Sequence, residues 1–294
     1  MPGLIDAHLH WCLFGRPLEE VVAELEWLEA SGYEAVVVFP LPAMGAPPER
    51  AVDLIPGAYR DFTGIDVACM VHDDLQAWLD FQPLWAAKAR RLEVLAFLDV
   101  RAWDGRSDLA AWWGGGHAGL KNVLILEEDE VKMRMPPLRR VPGIGPEAYL
   151  DAHRAVFTAA ARWDVPVMYH ADLSLHAAFV EECLEAHPNL RVAIPHFGFS
   201  RRRMARLLER FPGVVTDISS LRPFIETEPA AYRSFLVEYP ERVLLGSDAI
   251  ACHDLRSALD YVRCVRDLRL PEEIEAAVLG GNARRFLGND RYRS

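Results

Sequence analysis

The stretch "LIDAHLH", residues 4–10, is the first apolar run of the chain. It alternates apolar residues with Asp6, His8 and His10. On a strand, successive side chains point to opposite faces, so residues two apart share one face. This spacing predicts Asp6, His8 and His10 on one side of a first strand. Such a side is either a polar sheet edge or part of a metal site. A lone H-x-H decides neither, so the rest of the chain has to choose.

Working outward, similar runs rich in β-branched residues recur at 35–40, 94–100, 120–126, 165–172, 191–198, 213–220 and 242–249. Near-continuous apolar runs suit strands buried on both faces, as in parallel sheets. Helical patterns fall between them. Pro17 is placed to start a helix, and Leu18, Val22, Leu25 and Leu28 follow at helical spacing. Residues 146–163, 175–187, 200–211 and 254–268 read the same way, with Ser200 and Asp254 as N-caps. Strand then helix, eight times over, predicts an α/β fold, a (β/α)8 TIM barrel spanning residues 1–294 as one domain. An open doubly wound sheet is the other architecture this pattern allows, and "IDVACMV" (65–71) could add a strand. The connections 41–64 and 127–146 are long. At the C-terminal face of a barrel they would cover the active site.

The totals narrow the partners. The formal net charge is -11 over 294 residues, which argues against nucleic acid and anionic membrane and leaves a small-molecule substrate. No apolar run approaches the ~20 residues of a membrane span. The five cysteines are widely spaced with no C-x-x-C pair, so a reducing, cytoplasmic setting is expected. The apolar fraction of 51% is enough for a large core.

The polar residues that end the runs carry the chemistry. In a barrel the strand C-termini face one pocket. The first strand brings Asp6, His8 and His10, the fifth His170, the sixth His196 and the eighth Asp248. Taken singly, His170 reads as a core histidine and Asp248 as a helix cap. Together, four strands bring ligand-type residues to the same end. Three histidines and a carboxylate, with a position left for water, form a catalytic type of metal site.

The stretches "LIDAHLH", "VMYHAD" (167–172), "IPHFG" (194–198), "LLGSDA" (244–249) and "GGNARRFLG" (280–288) resemble the signature stretches of the amidohydrolase superfamily. They most resemble the amidohydrolase-related branch that includes aminocarboxymuconate-semialdehyde decarboxylase. The resemblance runs in order from residue 4 to 288. It implies a barrel with a divalent metal, with His8, His10, His170 and Asp248 as ligands and His196 as a catalytic or substrate-polarising residue. Asn282 and Ala283 match the closing helix and read as structural. Some relatives bridge two metals with a carboxylated lysine late in strand four. Here Leu124 holds that place, and Lys121 falls at the strand's start. One divalent ion per chain and a structural or peripheral Lys121 follow from that register, with zinc the expected metal.

A metal-activated water with Asp248 as general base and His196 as carbonyl polariser would hydrolyse an amide, ester or lactone. The same set could run a nonoxidative decarboxylation of an unsaturated or aromatic acid. That chemistry needs an arginine clamp, for which Arg139, Arg140 and Arg222 are candidates, each otherwise an ordinary surface arginine. Asp6 could orient a histidine ligand or be a buried structural carboxylate. A barrel kept only for binding predicts missing ligands, and none is missing. Trp11, Trp103, Trp112 and Trp113 fit a pocket wall, core packing or an interface in a homodimer.

Overall fold

The computed structural model describes residues 3–13, 15–40, 74–113, 116–133, 137–140 and 142–288. The strand expected at 65–71 and the connection 41–64 lie outside them. In chain order the strands are β1 (Leu4–His10), β2 (Tyr33–Phe39), β3 (Glu93–Asp99), β4 (Gly119–Val123), β5 (Val167–His170), β6 (Val192–Ile194), β7 (Val214–Asp217), β8 (Val243–Leu244) and β9 (Ala249–Ile250). Helices follow them: α1 (Leu18–Ala30), α2 (Asp74–Ala87), α3 (Leu109–Trp113), α4 (Glu130–Met133), α5 (Pro146–Trp163), α6 (Leu173–Ala186), α7 (Arg201–Arg210), α8 (Arg222–Thr227), α9 (Pro229–Glu238), α10 (Ala258–Asp267), α11 (Glu272–Ala276) and α12 (Asn282–Leu287).

One sheet runs β8-β7-β6-β5-β4-β3-β2-β1-β9. Each neighbouring pair is parallel. β8 and β9 are two pieces of one run that closes the sheet on itself. β8 pairs with β7, and β9 pairs with β1. Between them, Ala7 N donates to Leu245 O at 2.9 Å and Asp248 N to His8 O at 2.8 Å. Eight positions around a closed ring make this a (β/α)8 barrel, and the open sheet is set aside.

The break in the eighth strand has a local cause. A Cβ at Gly246 would lie 2.9 Å from the His8 Cβ and 3.3 Å from the Asp217 carboxylate, so only glycine lets the strand pass. Ser247 N then donates to Asp6 Oδ1, and Asp248 turns into the left-handed region at φ 62°.

The helix starts follow side-chain chemistry. Ser200 caps α7, its hydroxyl accepting from Arg203 N, and Asp254 caps the turn leading into α10. Asp172 caps α6, which therefore begins two residues earlier than periodicity alone predicts. Pro17 stands just outside α1 rather than in its first turn.

The helices pack outside the ring over a large apolar layer that includes Leu25, Val36, Leu98, Phe157 and Val262, all fully buried. Burying each such side chain contributes about 1.5–3 kcal/mol. Inside the ring a smaller cluster, including Ile5, Val37, Phe97, Met168 and Leu244, fills the lower barrel. Ala283, Phe286 and Leu287 of α12 plug it from below. Asn282 Nδ2 donates to Val243 O at 2.7 Å, tying that plug to β8. The C-terminal ends of the strands are thereby left as the open, polar end. Among the described residues no helix is long and apolar enough to cross a membrane.

Candidate metal centre

β1 does not keep strict alternation. Its register against β2 slips between Asp6, opposite Val36, and Leu9, opposite Val38, so β1 carries one extra residue. Val36 and Val38 belong to the outer layer, whereas Val37 and Phe39 face the barrel interior. This bulge turns Asp6 outward and leaves His8 and His10 facing in. Asp6 Oδ1 stitches the bulge by accepting from His8 N at 3.0 Å and Ser247 N at 3.1 Å. Burial raises its pKa to about 7. Asp6 therefore orients backbone, not an imidazole, and the expectation that it shares the histidine face is corrected.

The residue that holds a histidine ring is Asp217, at the end of β7. Its Oδ2 lies 2.8 Å from His8 Nδ1, and its Oδ1 accepts from His196 N at 3.0 Å and Ser219 N at 3.1 Å. Burial alone would raise its pKa. The His8 ring and these donors outweigh burial and hold the carboxyl below the usual range. With Nδ1 engaged, His8 points Nε2 into the pocket. That atom is buried and has no hydrogen-bond partner, as is His170 Nε2.

The other rings converge on the same point. Asp248 Oδ1 lies 3.2 Å from His8 Nε2 and 2.9 Å from His10 Nε2, while its Oδ2 accepts from the Ser220 hydroxyl. The His196 ring centroid is 5.3 Å from that of His8 and 5.1 Å from that of His170. Ligand atoms of His8, His196 and Asp248 all lie within 4.8 Å of one another. His196 Nδ1 donates to Ser219 O at 2.8 Å, which leaves Nε2 toward the cluster.

Burial keeps the His8, His10 and His170 imidazoles neutral. It lowers the His8 pKa to about 4, with the Lys121 charge adding to it, and lowers those of His10 and His170 as well. Neutral imidazole is the metal-binding form. Burial works against Asp248 ionising, but His8, His10 and His196 hold its carboxyl well below the ordinary range. Two orphaned, buried Nε2 atoms beside an ionised carboxylate are a donor set that fits a divalent cation.

The backbone is strained where these groups sit. His196, Ser220 and Asp248 have φ of 56°, 55° and 62°. Left-handed non-glycine residues cost roughly 1–3 kcal/mol each and cluster at functional sites.

Of the two expectations for Lys121, structural or peripheral, burial removes the peripheral one. Lys121 is 1% exposed, and its Nζ lies 4.8 Å from the centre of the Phe39 ring, with no hydrogen-bond partner. Phe39 in turn packs against His8 and His10, at 5.1 and 5.6 Å between ring centres. The β4 register explains the difference. Val123 stands opposite His170 and Lys121 opposite Met168, so Lys121 faces inward one step below the histidines. Leu124 faces the outer layer. Burial lowers the lysine pKa to about 8, with nearby Arg101 adding to the effect.

The candidate clamp arginines do not join the cluster. Arg139 Nε donates to Glu127 at 2.6 Å, Arg140 lies 3.9 Å from Glu130, and Arg222 pairs with Asp260 at 2.6 Å. Of the tryptophans, Trp11 packs on Trp78 and Phe81 in the outer layer, and Trp113 stacks on Trp163. Sequence reasoning missed Asp217, Ser219, Phe39 and Arg101. "TDISS" ended the seventh run with a carboxylate, which was the available signal for Asp217. Arg101 follows β3 and holds buried Asp99 through Nε at 3.0 Å to both oxygens. It contributes to lowering the pKa of His10.

Fold and cluster together define a (β/α)8 protein with histidines and a carboxylate that could hold a metal ion gathered at the C-terminal ends of its strands. The chain belongs to the amidohydrolase family, whose model, described as Amidohydrolase, matches residues 5–288. No curated protein sequence matches it. Among solved structures it is similar to the phosphotriesterase homology protein from Escherichia coli, with phosphate in its active site. That likeness has 14% identity and a TM-score of 0.60, over 98% of this chain and 99% of that one. It is also similar to the lactonase Lmo2620 from Listeria monocytogenes, at 12% identity and TM-score 0.56, over 98% and 95% of the two chains. A mutant of a phosphotriesterase-like lactonase from Deinococcus radiodurans matches at 15% identity and TM-score 0.54, over 98% and 96%. At these identities the likeness shows the fold.

Proposed function

We propose that the chain is a metal-dependent hydrolase that holds one divalent ion, zinc in our reading, through His8, His10, His170 and Asp248. Its bond would be a C–N or C–O bond of a small amide, ester or lactone. The observation that carries this reading is the pair of buried, unpartnered Nε2 atoms of His8 and His170 beside the Asp248 carboxylate. When bound, the ion supplies Lewis acidity and lowers the pKa of a water from 15.7 toward about 7.

The chain's own groups do the rest. Asp248 accepts the proton of the attacking water, its second oxygen steadied by Ser220. His196 donates Nδ1–H to Ser219 O, so its Nε2 carries a proton only in the imidazolium form. In that form Nε2 stabilises the developing oxyanion and then delivers the proton to the leaving group. Asp217 keeps the His8 tautomer with Nε2 free.

The decarboxylase reading needs an acid clamp. Arg139 and Arg222 pair with acidic neighbours in exposed ion pairs and Arg140 lies 3.9 Å from an exposed Glu130, so none of the three is built into the histidine cluster, and our reading takes hydrolysis first. The cytoplasmic setting is likewise part of this reading, from the wide spacing of the cysteines. The test is a panel of lactones, esters, amides and unsaturated or aromatic acids incubated with zinc-reconstituted protein. Acid release from a lactone, ester or amide is the expected result. Carbon dioxide release from an acid, with no hydrolysis anywhere in the panel, would overturn it.

A further inference from the structure

We propose that Ser220 is a positioning residue that divides the two oxygens of Asp248 between two jobs. It presents Oδ1 to the divalent ion and keeps Oδ2 off it, as the oxygen that receives the proton of the attacking water. This proposal rests on the metal-dependent hydrolase reading above and adds a residue to its machinery.

A tight turn follows β7. Leu221 N donates to Ile218 O at 3.1 Å, and Ser220 is the third residue of the turn that this bond closes. Its φ is 55°. A positive φ at that place is a requirement that glycine or asparagine meets with least strain. Serine there is a cost that the fold carries, and such costs gather at functional sites. The turn sorts its two serines. Ser219 is fully buried, and its N–H and hydroxyl both donate to Asp217 Oδ1, on the carboxylate that holds the His8 ring. Ser220 is left exposed at the mouth.

An exposed serine in a turn needs no explanation by itself. This one differs in what it touches. Its hydroxyl donates to Asp248 Oδ2, while Asp248 Oδ1 lies 3.2 Å from His8 Nε2 and 2.9 Å from His10 Nε2. The Asp248 backbone is already fixed, at φ 62° with its amide donating to His8 O at 2.8 Å. What remains is rotation about the last bond of the side chain. For aspartate that rotation is broad and close to two-fold, so it makes no distinction between Oδ1 and Oδ2. The Ser220 hydroxyl makes the distinction, through a charge-assisted hydrogen bond about twice as strong as a neutral one.

The distinction serves both jobs. A carboxylate that turns both oxygens to a cation spends on it the lone pairs that a general base needs. With Oδ2 held by Ser220, Oδ1 stays among the ligand nitrogens of His8 and His10. Oδ2 accepts one hydrogen bond and keeps a lone pair for the proton. The hydroxyl therefore acts through Asp248, and the strained turn is what brings it there.

Ser220→Ala and Ser220→Gly both remove the hydroxyl but act oppositely on the backbone, because alanine is strained at a positive φ and glycine is not. Each is compared with the wild type by Tm, by the visible absorption of the cobalt(II)-loaded protein and by kcat of the zinc-loaded protein on the hydrolase panel. Ser220→Gly should have the higher Tm of the two variants. Both should nevertheless share one cobalt spectrum, with weaker visible bands than the wild type, as when a further oxygen joins the ion. Both should lose about 10–100-fold in kcat. A wild-type spectrum in both variants, a spectral change in Ser220→Ala that Ser220→Gly does not share, or an unchanged kcat in both would overturn the proposal. A wild type that takes up cobalt and whose variants show the shared spectral change, with no hydrolysis anywhere in the panel, would sink the hydrolase reading and leave the hold of Ser220 on Asp248 standing. A wild type that takes up neither metal would sink both.

Discussion

Asp217 Oδ2 lies 2.8 Å from Nδ1 of His8, although 209 residues separate the two in sequence. The pair joins the first strand of the barrel to the seventh. It makes the protonated nitrogen of His8 face protein and the lone pair face the pocket. Asp217→Asn keeps the shape but loses the charge. It should weaken zinc affinity by about 10–100-fold with little change in far-UV circular dichroism. Competition with a chelator of known affinity reads this directly. An unchanged zinc Kd would mean that the pair serves only packing.

His196 and Asp248 separate by role. His196→Ala should keep the ion and lower kcat by about 10²–10⁴-fold. Asp248→Asn should retain part of the metal and lose more activity, because its amide cannot take a proton. The competing outcome is concrete. His196 Nε2 faces the cluster, so a His196→Ala protein that comes off the column without metal would make His196 a ligand.

Lys121 is a buried ammonium with no hydrogen-bond partner. Its folded pKa, about 8, is below its unfolded value of 10.5. The unfolded chain therefore binds the extra proton between those values, and stability rises with pH across that window. Below it, the buried charge is a standing penalty. Lys121→Met should raise unfolding free energy at pH 7 by on the order of 1–3 kcal/mol and leave metal near one per chain. Urea unfolding and elemental analysis test the two halves. Loss of most bound metal in the variant would place Lys121 at the ion.

His153 gives the opposite edge of the pH range. It is buried behind β4 and β5, 2.8 Å from Tyr169 Oη and 3.3 Å from Asn122 Nδ2. Burial, with the charge of His176 adding to it, lowers its pKa from 6.5 to about 3. Between those values the unfolded state holds the proton and the folded state does not. Its contribution is fully present above pH 6.5 and is lost as pH falls toward 3, by up to about 1.4 kcal/mol per unit. Stability of the wild type should therefore fall more steeply from pH 6.5 to 4 than that of His153→Gln. Parallel curves from urea unfolding would show that His153 does not carry this dependence.

Much of this protein was readable in the chain itself. Buried parallel strands need continuous apolar runs, and those runs mark all eight barrel positions. Each of His8, His10, His170, His196 and Asp248 ends or follows such a run, and a closed barrel brings those ends to one mouth. Caps such as Ser200 and Asp254 are local, so they too were legible. Tertiary structure decided the rest, because side-chain direction depends on register and on left-handed turns rather than on spacing. One extra residue in β1 sent Asp6 outward and gave the orienting role to Asp217. A two-residue register difference against His170 put Lys121 just under the site instead of at the far end of the barrel. Arg139 and Arg222 pair with acidic neighbours rather than with the histidine cluster. A left-handed turn residue, Ser220, put a hydroxyl on the Asp248 carboxylate. Each of these outcomes was set by neighbours distant in sequence or by backbone conformations that periodicity cannot report.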